Sequence, residues 1–204
     1  MTSTFYLDNF MKNILILGAN GSLARVTTQY LLDNTDLHLS LYLRNSRRLN
    51  NPAPGRVDII EGDVMDYQKL VAAMEGQDVV YANLNGNMKA AAENIVKAMY
   101  ASGLKRLIFI SSMGIYGEVP GERYNSILNP YRDSAAVVEA SKLDYTVIRP
   151  GWFTNQDIVD YQITRKGEPF QGHDVSRKSI ADLIMQLIQT PDLYVRDSIG
   201  ISEV

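Results

Sequence analysis

Apolar and polar positions alternate along this chain in two periods. The run NILIL at 13–17 is continuously apolar, as in a strand covered on both faces. Leu23, Val26, Thr27, Tyr30 and Leu31 follow at i, i+3, i+4, i+7 and i+8, which predicts a helix with one face on a sheet. The alternation repeats. Further strands are predicted at 37–43, 57–61, 78–83, 107–111 and 145–149. Helices between them are marked by Leu70/Val71/Met74, by Ala91/Ile95/Ala98/Met99 and by a stretch opening at Asn129-Pro130, read as N-cap and first helical residue. A last helix carries Ile180, Leu183, Ile184, Leu187 and Ile188 and stops near Thr190-Pro191. Strands alternating with helices predict an α/β doubly wound parallel sheet in one domain. That domain is expected over 11–204, with 1–10 as an N-terminal extension.

Two segments break the alternation, 113–128 and 151–178, both long and punctuated by glycine and proline. In an open parallel sheet, segments after strand C-termini surround the ligand crevice, so both are expected to be substrate loops.

Composition narrows the chemistry. With no cysteine and two isolated histidines, disulfides, thiolate nucleophiles and an ordinary zinc site are set aside. A net charge of −3 with no extended basic block argues against a nucleic-acid surface. The first ten residues lack a signal-peptide pattern and no apolar run could cross a bilayer, so a cytoplasmic protein with no membrane role and a small-molecule substrate is expected. Oligomeric state is not legible. Ser176 or Asp174 reads as a helix cap rather than a nucleophile, and Asp63 and Asp66 as a ligand contact and a solvated helix start.

The strongest local signal lies between the first strand and first helix, at Gly18-Ala19-Asn20-Gly21-Ser22-Leu23-Ala24. A pyrophosphate requires a tight turn, close backbone approach and free N–H groups at a helix start. Gly18 gives the turn, Gly21 the approach, Ser22 and Leu23 the amides, and Ala24 a small residue against the strand. The second strand ends in Leu43-Arg44-Asn45-Ser46-Arg47-Arg48, where NAD-binding folds place a carboxylate for the ribose 2′-OH. A guanidinium there grips a 2′-phosphate instead, so NADP(H) is expected over NAD(H). Arg44 leads, Asn45 and Ser46 assist, and Arg47 or Arg48 follow.

On these residues the chain resembles an atypical short-chain dehydrogenase/reductase of Rossmann type, in the NmrA-like NAD(P)H-binding group of flavin and biliverdin reductase-like proteins. The glycine turn, with Asn20 in it, is similar to that group's motif. Glu61-Gly62-Asp63-Val64 resembles its adenine-contacting segment, which implies Asp63 and Val64 at the adenine. The stretches 110–116 and 143–151 are similar to its fifth- and sixth-strand motifs. The resemblance implies Asn83, Leu84, Ser111, Ser112 and Pro150 to Trp152 near the nicotinamide.

One departure shapes the chemistry. Orthodox members use Tyr-x-x-x-Lys, in which lysine lowers the tyrosine pKa for proton transfer. Here no lysine stands four residues after a tyrosine; Tyr131 is followed at that spacing by Ala135, and Tyr161 by Arg165. Carbonyl reduction by that route is therefore disfavoured. Hydride transfer to flavin or another conjugated acceptor spreads charge over a π system and needs chiefly correct ring placement. The leading expectation is an NADPH-dependent reductase of a planar acceptor such as flavin. Ser112 would orient substrate, Tyr116 or Tyr131 would stack on it or close the pocket, and Trp152 would wall it. The alternatives are a non-catalytic NADP(H) sensor and, behind it, a nucleotide-sugar epimerase. Packing roles for the three aromatics and backbone satisfaction by Ser112 stand beside these readings.

Overall fold

The computed structural model describes residues 12–204, and the expected extension at 1–10 lies outside the described residues. Five parallel strands open the fold: β1 (Asn13–Leu17), β2 (His38–Leu43), β3 (Val57–Glu61), β4 (Val79–Ala82) and β5 (Arg106–Ile110). Helices α1 (Ser22–Asn34), α2 (Tyr67–Met74) and α3 (Met88–Ser102) lie between them, and α4 (Asn129–Glu139) leads to β6 (Asp144–Pro150). β7 (Trp152–Thr154), β8 (Gln162–Arg165), β9 (Asp174–Ser176), α5 (Arg177–Gln189) and β10 (Asp197–Ser202) complete the chain.

One sheet runs β3-β2-β1-β4-β5-β6-β10-β8, parallel throughout except for β8, which pairs antiparallel to β10 at the edge. The order reverses direction at β1, and crossovers must then place helices on both faces. Alternate side chains of each strand enter two apolar layers. Ile14 and Ile16 of β1 pack beneath α1 and α5 with Leu23, Leu31, Ile184 and Leu187. Leu15 and Leu17 face the other layer, with Leu70, Ile95, Met99 and Val138 of α2, α3 and α4. The helical residues expected at these faces supply most of the contact, because their spacing keeps them on one stripe.

Two expectations need correction. Asn129 is the first residue of α4, not its cap; a 3₁₀ turn at Ser126–Leu128 runs directly into the helix and places Leu128 at the cap position. The segment 151–178 is not loop alone but contains β7, β8 and β9, and β7 pairs in parallel with β9 as a two-stranded ribbon. Of Ser176 and Asp174, Ser176 caps α5 as expected, its hydroxyl accepting from Ser179 N at 2.9 Å, while Asp174 lies in β9. Asp66 likewise caps α2, accepting from Lys69 N.

β10 carries no apolar run, yet it is almost wholly buried. Its Gly200 is required by packing, since a Cβ there would stand 2.6 Å from the Phe170 ring. Among the described residues no helix is long and apolar enough to cross a membrane.

Candidate functional site

The C-terminal ends of β1 to β4 enclose a crevice of about 460 Å³. Its floor is made by close approach. Gly18 has φ +78°, and a Cβ on it would meet Asn83 O at 2.1 Å. One on Gly21 would stand 3.0 Å from the Asn83 side-chain nitrogen. Only glycine lets the turn sit this low against the end of β4. The turn is also tied to its other neighbour, with Gly18 N and Ala19 N both donating to Tyr42 O. Helix α1 then starts at Ser22 with no side-chain cap, so its first N–H groups have no intrahelical acceptor. They make a positive edge at the glycine turn, suited to a pyrophosphate.

Gly62 repeats the pattern one strand further out. A Cβ there would lie 2.2 Å from the Tyr42 hydroxyl, which donates to Asp63 O at 2.9 Å. Burial raises the Tyr42 pKa to about 12, with Asp66 and Asp63 adding to the shift, so the phenol remains a donor. Tyr42 thus holds the Gly62-Asp63 backbone at the crevice wall. Asp63 in turn accepts from Met65 N.

Of the residues expected at the cofactor, Gly18, Asn20, Gly21, Arg44, Asn45, Asp63, Val64, Asn83 and Leu84 are brought together around this crevice. Tyr42, Gly62 and Arg48 join them, as do Asn85 to Asn87 after β4. The pairing of Tyr42 with Gly62 depends on β2–β3 register, so composition gave no sign of it. Asn85, Gly86 and Asn87 lie in the connection from β4 to α3. The guanidinium of Arg44 has no hydrogen bond or ion pair among the described residues, and it is exposed.

Ser46 is placed differently. It lies outside the crevice lining, and its N–H and hydroxyl both donate to Glu61 Oε2 at the end of β3. A carboxylate therefore stands beside the basic turn, on a neighbouring strand that inspection of β2 alone does not reach. On the α1 side, Arg25 donates to Asn20 Oδ1 and to Arg48 O, the latter at 2.9 Å.

Of the residues expected near the nicotinamide, Asn83 and Leu84 line this crevice, whereas Ser111, Ser112, Pro150 and Trp152 are not among those enclosing it. Ser111 is buried, its hydroxyl on Tyr131 O at 3.3 Å, and Ser112 Oγ donates to Met113 O at 3.1 Å. Pro150 ends β6 and accepts from Met113 N. Trp152 is exposed on β7, with its ring stacked on His173 at 6.3 Å. Tyr131 is half-buried in α4 against the second apolar layer.

Tyr116 lies in a separate buried network. Its hydroxyl donates to Glu139 Oε1 and meets Ser198 Oγ at 2.9 Å. Burial, reinforced by Glu139, raises its pKa well above the ordinary phenol value. Beside it Arg149, wholly buried, pairs with Glu118 and donates to Thr164 O and Ser198 O. Glu118 also accepts from Gly114 N at 3.0 Å and Tyr116 N at 2.9 Å. This ion pair pins the start of the 113–128 segment onto β6.

A doubly wound sheet with a glycine turn at its switch point defines a dinucleotide-binding Rossmann protein. The chain belongs to the NAD(P)H-binding family, whose model matches residues 18–191. A Rossmann-fold NAD(P)-binding family protein from Shigella flexneri is 43% identical, with a TM-score of 0.84 over 95% of this chain and 94% of that one. A short-chain dehydrogenase/reductase from Veillonella parvula, solved in complex with NADP, is 31% identical with a TM-score of 0.85 over 94% of both chains. The anaerobillin reductase ChuY from Escherichia coli O157:H7 shares the fold at 19% identity, with a TM-score of 0.81 over 94% of this chain and 97% of that one.

Among curated relatives, an uncharacterized sugar epimerase, YhfK of Bacillus subtilis, is 24% identical over 70% of this chain and 73% of its own. A (4-alkanoyl-5-oxo-2,5-dihydrofuran-3-yl)methyl phosphate reductase of Streptomyces griseus is 26% identical over 71% of this chain. The match spans 49% of that enzyme, about half its length. The protein is thus an atypical short-chain dehydrogenase/reductase-like chain of oxidoreductase type.

Proposed function

We propose that this protein is an NADPH-dependent reductase that passes hydride to a planar, electron-accepting substrate such as a flavin. The observation that carries the cofactor half is the pairing of the Gly18–Gly21 cradle with the exposed Arg44 at the end of β2, where both line one crevice. The uncapped start of α1 offers its amides to the pyrophosphate. Arg44 and Arg48 take the 2′-phosphate, for which a guanidinium fork is the fitting donor. Asp63 and Val64 hold the adenine end, and Asn83 and Leu84 guide the chain of the cofactor across the sheet. The Veillonella relative's complex with NADP supports the same choice.

The bound cofactor supplies the hydride. This chain's own residues would set the order of the two rings and exclude water, because a conjugated acceptor can take its proton from solvent. That division of labour suits a chain without Tyr-x-x-x-Lys. The phenol of Tyr116 is already bonded to Glu139 and Ser198, which disfavours it as a proton donor. Ser112 and Trp152 lie on the segments following β5 and β6, where an acceptor would approach. The Streptomyces reductase supports hydride transfer.

The test is nicotinamide absorbance during addition of FMN, FAD, biliverdin and a quinone to NADPH-loaded protein. Saturable oxidation by one acceptor is expected. Tight cofactor binding without turnover on any of them would instead make the protein a non-catalytic NADP(H) sensor.

A further inference from the structure

The turn that carries the basic residues is held at three points. Asn45 Oδ1 accepts from Arg47 N at 3.2 Å and caps the 3₁₀ turn Ser46–Arg48. Arg25 reaches across from α1 to Arg48 O and closes the far end. Glu61 takes the near end, one carboxylate oxygen accepting both the N–H and the hydroxyl of Ser46. Glu61 is not among the residues that line the crevice, whereas Arg44, Asn45 and Arg48 are. The Ser46 hydroxyl and then its amide hold the Glu61 carboxyl below its usual range, so it is ionised at neutral pH.

A carboxylate beside a phosphate site is ordinarily a charge of the wrong sign, and removing it should strengthen anion binding. The geometry here predicts the reverse. We propose that Glu61 is a positioning residue for 2′-phosphate selection: by gripping Ser46 it holds the basic turn so that Arg44 and Arg48 face the crevice. An untethered turn would have to be ordered at each binding event, and each mobile side chain so fixed weakens binding by a few-fold to about tenfold. The inference rests on the NADPH reading above and extends it to a residue outside the crevice lining.

Calorimetric titration with 2′,5′-ADP and 5′-AMP isolates the effect, since the two differ only in the 2′-phosphate. Glu61→Ala is expected to weaken 2′,5′-ADP by about three- to tenfold and leave 5′-AMP within about twofold. Glu61→Gln keeps an acceptor for Ser46 without the charge, and should restore most of the 2′,5′-ADP affinity. Both variants alter an exposed side chain at a strand end, and unchanged thermal melting checks their folding. Unchanged or tighter 2′,5′-ADP binding by Glu61→Ala would overturn the positioning role while leaving the NADPH reading intact. Failure of the unsubstituted protein to prefer 2′,5′-ADP over 5′-AMP would remove the NADPH reading, and this inference with it.

Discussion

Gly18 and Arg44 fail in different ways when changed, and the difference separates scaffold from recognition. A Cβ at Gly18 meets Asn83 O at 2.1 Å in a left-handed backbone conformation. Gly18→Ala should therefore destabilise the whole fold by at least about 2 kcal/mol, seen as a lower melting temperature without cofactor. Arg44 is exposed and makes no hydrogen bond or ion pair among the described residues, so Arg44→Asp should leave melting unchanged. It should weaken NADPH by about 10- to 100-fold, the scale of one charged hydrogen-bonded contact, and NADH much less. Equal losses for the two cofactors would mean that the 2′-phosphate is held elsewhere. Both residues are legible in the sequence because each acts through its own backbone or charge at a fixed offset from a strand. Tyr42 and Glu61 are not, since their partners Gly62 and Ser46 lie on other parts of the chain and meet them only through sheet register.

At the scale of elements, continuous apolar runs identify the central strands β1, β4 and β5, which are buried on both faces, and shorter Ile, Leu and Val stretches mark β2, β3 and β6. β8 and β10 escape that rule. In β10 Ile199 and Ile201 enter the core but alternate with serine and glycine, and β8 adds only Ile163, so neither shows a continuous apolar run. The 113–128 segment reads as a substrate loop in the sequence, and its first turns are fastened by Glu118 to the buried Arg149. Removing one partner of a buried ion pair leaves the other charge uncompensated. Glu118→Ala should therefore cost about 3–5 kcal/mol in denaturant unfolding. Glu118→Gln, which keeps acceptors for the Gly114 and Tyr116 amides, should cost less. A loss below 1 kcal/mol for Glu118→Ala would show that this segment is held by other contacts. Trp152 is the sole tryptophan and is 64% exposed, so its emission reports on β7 alone. Titration with FMN should quench it if the acceptor stacks beside this ribbon, and unchanged emission at saturating FMN would place the acceptor elsewhere.

The molecule as a whole has a predictable alkaline limit. Burial raises Tyr30 and Tyr42 from 10.0 to about 12, and with it Tyr81, Tyr116, Tyr145 and Tyr161 are raised as well. Asp182 adds to the shifts of Tyr30 and Tyr161, accepting from both hydroxyls. The folded state then holds these protons more tightly than the unfolded chain, and its stability falls as pH rises past 10. For Tyr30 and Tyr42 that contribution is complete below pH 10 and is lost as pH rises through about 12. Tyrosinate absorbance for this set should appear together with unfolding rather than ahead of it. The same sheet that buries these phenols carries the glycine turn, the basic turn and Asn83 to one edge, where strand order reverses. The central claim is that this edge recognises NADPH. Paired calorimetric titration of the intact protein with NADPH and NADH tests it most directly. Binding of NADPH at least about tenfold tighter than NADH, one charged contact's worth, is predicted. Equal affinities, or no binding of either, would contradict it.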